Sequence, residues 1–219
     1  MAARPVEFFF DFLSPYSYFA WPRVRALCAR RGVALDLRPV LFAALLDHAG
    51  QRGPAEIPAK RAWLLTDCVR LAALYGVPFT FPRHHPFNPL HALRLALPEV
   101  SGERQADVVD ALWEAGWVNG MDLGATDDLA AALDARGLDG RTLLARASKP
   151  SAKDALRRAT DDAIGRGVFG VPTFIVGDTL FWGNDRLEHV ELALEGRDPL
   201  DRDRVRELLG RTASATRRR

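Results

Sequence analysis

The chain has 219 residues, 48% hydrophobic and 26% charged, with a net charge of +2. That is enough apolar material for a sizeable core, and the charge is too balanced for a dedicated nucleic-acid binder. No apolar run approaches the ~20 residues of a membrane span, and a strand pattern begins within a few residues of the N-terminus, so neither a membrane anchor nor a signal peptide is expected.

In chain order, Val6–Phe10 is an apolar, β-rich run that meets Asp11, Leu13 and then Ser14-Pro15. Serine is a good N-cap, and proline suits the first helical position because its missing N–H has no partner there anyway. Ser14 is therefore expected at the start of a helix over residues 16–31. Free N–H groups and about half a positive charge collect at such a point and favour an anion. An ordinary capping serine and a functional serine both fit the position. Ala20, Val24, Leu27 and Cys28 form the apolar face of this helix, and Gly32 stops it. Residues 33–40 alternate and read as a strand ended near Pro39. Strand–helix–strand of this length is a βαβ unit with parallel strands.

Strands then stop. A short helix is expected over 42–49, a loop with Gly53, Pro54 and Pro58 over 50–58, and a strong helix over 59–75. On that helix Trp63, Val69 or Arg70, and Leu74 are spaced for one face. Gly76-Val77-Pro78 breaks it, and residues 79–89 are irregular. Further helices are expected over 90–97, 105–117, 126–136, 139–147 and 151–166. Strand patterns return at 173–176 and 180–182 around Gly177-Asp178, which reads as a hairpin. A helix over 186–195, capped by Asn184 or Asp185, and a last helix over 201–209 follow. Residues 213–219, ending in Arg217–Arg219, read as a frayed, solvated basic tail. Cys28 and Cys68 read as small buried apolar residues rather than a disulfide, which suits a cytoplasmic protein. His84, His85 and His91 fit no ligand spacing, so no metal site is expected.

The order β-α-β, an all-helical block, Val171-Pro172-Thr173-Phe174, a hairpin and a helix resembles the DsbA-like superfamily: an α/β, thioredoxin-like fold (β-α-β … β-β-α) with a large all-helical insertion. The expected domains are a thioredoxin-like unit at 1–42 with 167–212, and a helical insertion at 43–166. That superfamily carries Cys-x-x-Cys where this chain has Ser14-Pro15-Tyr16-Ser17. FDFLSPYSY, FGVPTF at Phe169–Phe174 and FWGNDR at Phe181–Arg186 are similar to the 2-hydroxychromene-2-carboxylate isomerases and to their relatives, the kappa-class glutathione transferases. The likeness runs from Val6 to about Leu209.

Serines cannot undergo thiol–disulfide exchange, which needs a thiolate. The resemblance implies instead that glutathione is the cofactor and brings the thiol, with Ser14 hydrogen-bonding its sulfur. Lowering a thiol pKa from ~8.5 to ~6.5 takes about 2.7 kcal/mol. A helix N-terminus supplies roughly 0.3–2 kcal/mol and a hydrogen bond to a charged acceptor about 1.5–3 kcal/mol, so the two together suffice. By the same resemblance the Val171 backbone, beside Pro172, pairs with the cysteinyl part of glutathione. Trp182 lines the groove, and Asn184 and Asp185 take the γ-glutamyl end. Lys60, with Arg61 as the less favoured neighbour, stands near a carboxylate of glutathione or substrate, and Asn88 faces the substrate. The loop around Gln51 lies where relatives also contact ligands. Each residue also has a plain structural reading: strand entry for Val171, core filling for Trp182, a cap for Asp185, a solvated helix start for Lys60, a turn for Asn88.

The implied function is glutathione-dependent cis-trans isomerisation of an aromatic keto acid or chromene carboxylate in aromatic hydrocarbon catabolism of the naphthalene type. The implied partners are that small carboxylate, glutathione and a second copy of the chain, without nucleic acid or membrane. A kappa-like glutathione transferase or peroxidase and a non-catalytic thioredoxin-fold binding module are the alternatives.

Overall fold

A computed structural model describes residues 4–212; the basic tail expected at 213–219 lies outside the described residues. The elements are β1 (Val6–Phe10), α1 (Pro15–Arg31), β2 (Leu35–Pro39), α2 (Phe42–His48), α3 (Pro58–Tyr75), α4 (Leu90–Leu95), α5 (Pro98–Ser101), α6 (Gln105–Trp117), α7 (Thr126–Asp134), α8 (Gly140–Ala147), α9 (Pro150–Gly165), β3 (Thr173–Val176), β4 (Thr179–Trp182), α10 (Leu187–Leu194) and α11 (Arg202–Leu209). The strands form one mixed sheet in the order β2-β1-β3-β4. β1 runs parallel to β2 and antiparallel to β3, and β3 and β4 form the expected hairpin. This is the thioredoxin-like, DsbA-like architecture with its helical insertion between the two halves.

Successive β1 side chains point to opposite faces of the sheet, and the two faces meet different cores. Val6, Phe8 and Phe10 enter the larger one with Phe19, Val24 and Leu27 of α1. Phe9 enters a smaller one with Ala163 of α9, Val168, Val171 and Ile175. Phe8 stacks on its register partner Phe174, ring centroids 5.3 Å apart. Burying each such side chain contributes roughly 1.5–3 kcal/mol. The insertion shares the larger core: Phe12 packs on Trp113 of α6 at 4.6 Å, and Tyr18 stacks on Trp117 at 6.1 Å. Aromatic rings of the insertion thus lie beneath the loop that leaves β1, where the site begins.

Several boundaries differ from the sequence expectation for identifiable reasons. Gly32 takes the left-handed conformation (φ 62°), and the Val33 N–H folds back to the Cys28 carbonyl, so the strand starts at Leu35, not Val33. The helix expected over 90–97 ends at Leu95 because Pro98 has no N–H to continue it, and Pro98 opens α5 instead. Neither Asn184 nor Asp185 caps α10 with its side chain; Asn184–Arg186 form a 3-10 turn and the helix starts at Leu187. The largest correction concerns α3. Its buried side chains are Leu64 and Cys68, whereas Trp63, Val69 and Leu74 are 59%, 64% and 77% exposed. The residues expected to face the core point into solvent instead. Cys28 and Cys68 are free and buried. Among the described residues no helix is long and apolar enough to cross a membrane.

Candidate active site

The site is built on the turn from β1 into α1, where nearly every polar group is committed. Ser14 is the N-cap of α1, 5% exposed, and its Oγ accepts the Ser17 N–H at 3.1 Å. The Ser14 N–H is spent on the Asp11 carbonyl at 3.0 Å. The Asp11 carboxylate is fully buried and accepts the N–H groups of Leu13 and Phe42, each at 2.9 Å. It ties the end of β1 to the first turn of α2, whose free N–H groups need an acceptor. Burial raises the pKa of Asp11 from 3.8 to about 7, against the pull of those two backbone donors.

Two donors from the insertion complete the turn. Trp117 Nε1–H donates to the Phe12 carbonyl and His85 Nε2 bonds the Leu13 carbonyl, both at 2.9 Å. A carbonyl oxygen only accepts, so Nε2 of His85 carries the proton. Burial, the largest effect, pushes the His85 pKa below its usual 6.5, which keeps the ring neutral. The Ser14 hydroxyl proton is only weakly committed. It points to the Val171 carbonyl at 3.5 Å, at the long limit for a hydrogen bond. Among the described residues no basic side chain hydrogen-bonds Ser14, so it is a donor rather than an activated nucleophile. Ser17 Oγ is buried without a partner.

Ser14 lies on the wall of a cavity of about 560 Å³ between the sheet edge and the insertion. Lys60, Val171 and Trp182 of the expected residues also line it, as does Gln51, together with Tyr16 and His85. The Tyr16 hydroxyl donates to Asp67 of α3 at 2.9 Å, and burial with that carboxylate drives its pKa far up, so it stays a neutral donor. Trp182 is 52% exposed and meets Phe169 edge-on at 4.9 Å. A Cβ on Gly170 would stand 2.8 Å from Trp182 Nε1, so glycine is what lets the indole lie across the backbone there.

The other expected residues stand off the cavity wall. The Val171-Pro172 peptide is cis, and the Pro172 carbonyl accepts the Gly183 N–H at 2.9 Å, joining the loop to the end of β4. Asn184 is buried; its carbonyl accepts Arg23 Nη1 at 2.8 Å, and its Nδ2 has no partner. Asp185 is exposed and pairs with Arg186 at 3.4 Å. Arg61 Nη1 donates to the His85 carbonyl at 3.3 Å. Asn88 Oδ1 accepts the Leu90 N–H at 3.1 Å, a turn bond at the start of α4. Asp11, Tyr16, His85 and Trp117 are the site residues that sequence reasoning did not single out. A lone aspartate between Phe10 and Phe12 was the available signal for Asp11; His85 was weighed only as a metal ligand. Among the described residues no group of three or more His, Cys, Asp or Glu is placed to hold a metal. Neither cysteine lines the cavity, and burial pushes their thiols up to about 11 for Cys28 and about 12 for Cys68, so neither supplies a thiolate at neutral pH.

A capped helix start facing a cis-proline loop across the end of a β-α-β/β-β-α sheet is the site of a thioredoxin-fold protein, here with serines in place of the dithiol. The chain belongs to the DsbA-like thioredoxin family: residues 5–195 match the model of the DSBA-like thioredoxin domain. It is 34% identical over 191 residues to a 2-hydroxychromene-2-carboxylate isomerase of Sphingobium xenophagum, covering 86% of this chain and 96% of that protein. It is 30% identical over 204 residues to glutathione S-transferase kappa 1 of Rattus norvegicus, covering 85% and 89%. A solved 2-hydroxychromene-2-carboxylate isomerase superposes with a TM-score of 0.80 at 29% identity, covering 94% of this chain and 99% of that one.

Proposed function

We propose that this chain is a cytoplasmic, glutathione-dependent isomerase that converts 2-hydroxychromene-2-carboxylate, or a similar aromatic keto acid, to trans-o-hydroxybenzylidenepyruvate in aromatic hydrocarbon catabolism. The observation that carries the reading is the Ser14 hydroxyl. It is buried, held by the Ser17 N–H, and free to donate into the cavity. Those are the properties a thiolate partner needs. The buried Asn184 Nδ2, without a partner among the described residues, is a donor left for a peptide-like cofactor. Bound glutathione supplies a thiolate for reversible conjugate addition, which turns a double bond into a rotatable single bond and then returns the thiol.

The chain's own groups do the rest. Ser14 Oγ–H donates to the sulfur, and the α1 N-terminus adds its partial positive charge. The Val171 main chain, shaped by Pro172, pairs with the cysteinyl segment. Asn184 and Asp185 hold the γ-glutamyl end, Asp185 meeting its ammonium. Trp182 and Phe169 wall the apolar part of the cavity. Lys60 attracts a carboxylate at the rim, with Arg61 behind it, and Asn88 offers its Nδ2, its oxygen being used by Leu90.

Incubation with the chromene and a small amount of glutathione tests this. Isomerisation with total glutathione unchanged supports the reading. Stoichiometric loss of glutathione supports the kappa-class alternative, which the rat relative favours. Absence of glutathione binding in calorimetry leaves a non-catalytic module. A homodimer belongs to the same reading, because α3 leaves Trp63, Val69 and Leu74 exposed. Sedimentation velocity at micromolar concentration checks it, and a monomer there contradicts it.

A further inference from the structure

α2 has two lined faces. Phe42, Ala43, Leu46 and Asp47 face the Ser14 cavity, while Ala44, with the N-cap Leu41, faces a second cleft of about 260 Å³ against α4 and α9. Three cations line this second cleft: Arg94 of α4, and Lys153 and Arg157 of α9. None of the three has a carboxylate within 4.0 Å among the described residues. Lys153 and Arg157 are one helical turn apart, a spacing at which like charges repel. Arg94 Nε is buried with no acceptor, an arrangement that is costly unless something supplies one. The single carboxylate on the wall, Asp161, pairs with none of them.

The neighbouring hydroxyl does not fill the gap. Thr160 Oγ1 donates to the Leu156 carbonyl at 2.8 Å and accepts the Leu41 N–H at 3.1 Å. It therefore fastens the start of α2 to α9 and has no proton left to donate to an anion. Beside the cations the lining is apolar, from Leu41, Leu90 and Leu156.

We propose that this cleft, separate from the Ser14 cavity, binds a small organic carboxylate. Its carboxylate group sits among Arg94, Lys153 and Arg157, and its apolar body lies on Leu41, Leu90 and Leu156. Inorganic phosphate shares the oxyanion chemistry but would leave the apolar wall bare. An occupant here braces α2 against α9, and α2 carries Phe42 and Asp47 into the Ser14 cavity, so the two sites are joined by one short helix.

The test is a backbone amide NMR titration of the full chain with benzoate, and in a parallel arm with inorganic phosphate. Benzoate is expected to shift the amides of Ala44, Arg94, Lys153 and Asp161, saturating with a Kd on the order of 1 mM. Binding in Arg157→Glu, a change at an exposed side chain that leaves the core alone, should weaken at least about tenfold, as should binding in Arg94→Gln. Shifts confined to residues around Ser14, a response that does not saturate, or shifts unchanged in Arg157→Glu overturn the proposal. Phosphate binding as tightly as benzoate overturns the assignment to an organic carboxylate. None of these outcomes touches the Ser14 reading, whose own test is glutathione turnover.

Discussion

The turn at Asp11–Ser14 and the rim at Gln51–Lys60 face one cavity, yet they are built in opposite ways. The turn is buried, and its carbonyls and amides are held by Asp11, His85, Trp117 and Ser17. The rim is mostly exposed and is held by a few local bonds, Glu56 Oε1 accepting the Gly53 N–H at 2.6 Å and the Glu56 carbonyl accepting Arg52 Nη2 at 3.2 Å. A group that must meet a reacting atom at fixed distance belongs on the first kind of structure. A charge that only attracts a carboxylate belongs on the second. The contrast therefore separates turnover from binding, and substitutions in the two regions should divide accordingly.

The largest effect is expected for Ser14→Ala. Loss of a hydrogen bond to a charged sulfur, about 1.5–3 kcal/mol, lowers kcat by roughly 10- to 150-fold. Loss of the cap costs only about 0.5–2 kcal/mol of stability. Steady-state kinetics at saturating glutathione, with a thermal melt alongside, checks both; full activity removes Ser14 from the mechanism.

Asp11 and His85 should show their burial as opposite pH dependences of stability. Asp11 is raised from 3.8 to about 7, so its contribution is complete below about pH 4 and lost as pH rises through about 7. The stability difference between wild type and Asp11→Asn should fall across that window, by on the order of 4 kcal/mol. His85 is lowered from 6.5, so its contribution is present above that value and lost as pH falls below it. His85→Gln, which keeps an N–H for the Leu13 carbonyl, should remove that acid-side loss. Denaturant melts across pH read both slopes, and flat differences would contradict the account of a desolvated turn.

Binding effects should be smaller. Asp185→Ala is expected to raise the KM for glutathione several-fold with kcat nearly unchanged, because that end of the peptide is remote from the sulfur. A collapse of kcat at unchanged KM contradicts it. Lys60→Ala is expected to raise the KM of the carboxylate substrate by less still, and added salt should shrink the difference, since an exposed charge is screened. An effect of Lys60→Ala on kcat at saturation would erase the distinction between turn and rim.

The same contrast explains what could be read from the sequence. The β-α-β start, the hairpin and the Ser14 cap rest on local chemistry: alternation, Gly32, a Ser-Pro pair, Gly177-Asp178. The bonds that pin the turn come from His85 and Trp117, 72 and 105 residues from their acceptors, and no local pattern announces them. α3 fails for a related reason. Periodicity locates an apolar stripe but does not say which side of the helix the core takes, and here Leu64 and Cys68 win it. The sequence resemblance points to Asn88 and Asp185 as ligand contacts, yet one closes a turn with Leu90 and the other pairs with Arg186, geometry that a motif does not carry.

The central claim is that the Ser14 hydroxyl stabilises a thiolate in this cavity. Ultraviolet titration of thiolate absorbance, with glutathione bound to wild type and to Ser14→Ala, tests it most directly. The bound thiol in wild type should titrate about 1–2 units below that in Ser14→Ala and below that of free glutathione. Equal values in the two proteins, or a wild-type value no lower than that of free glutathione, would contradict it.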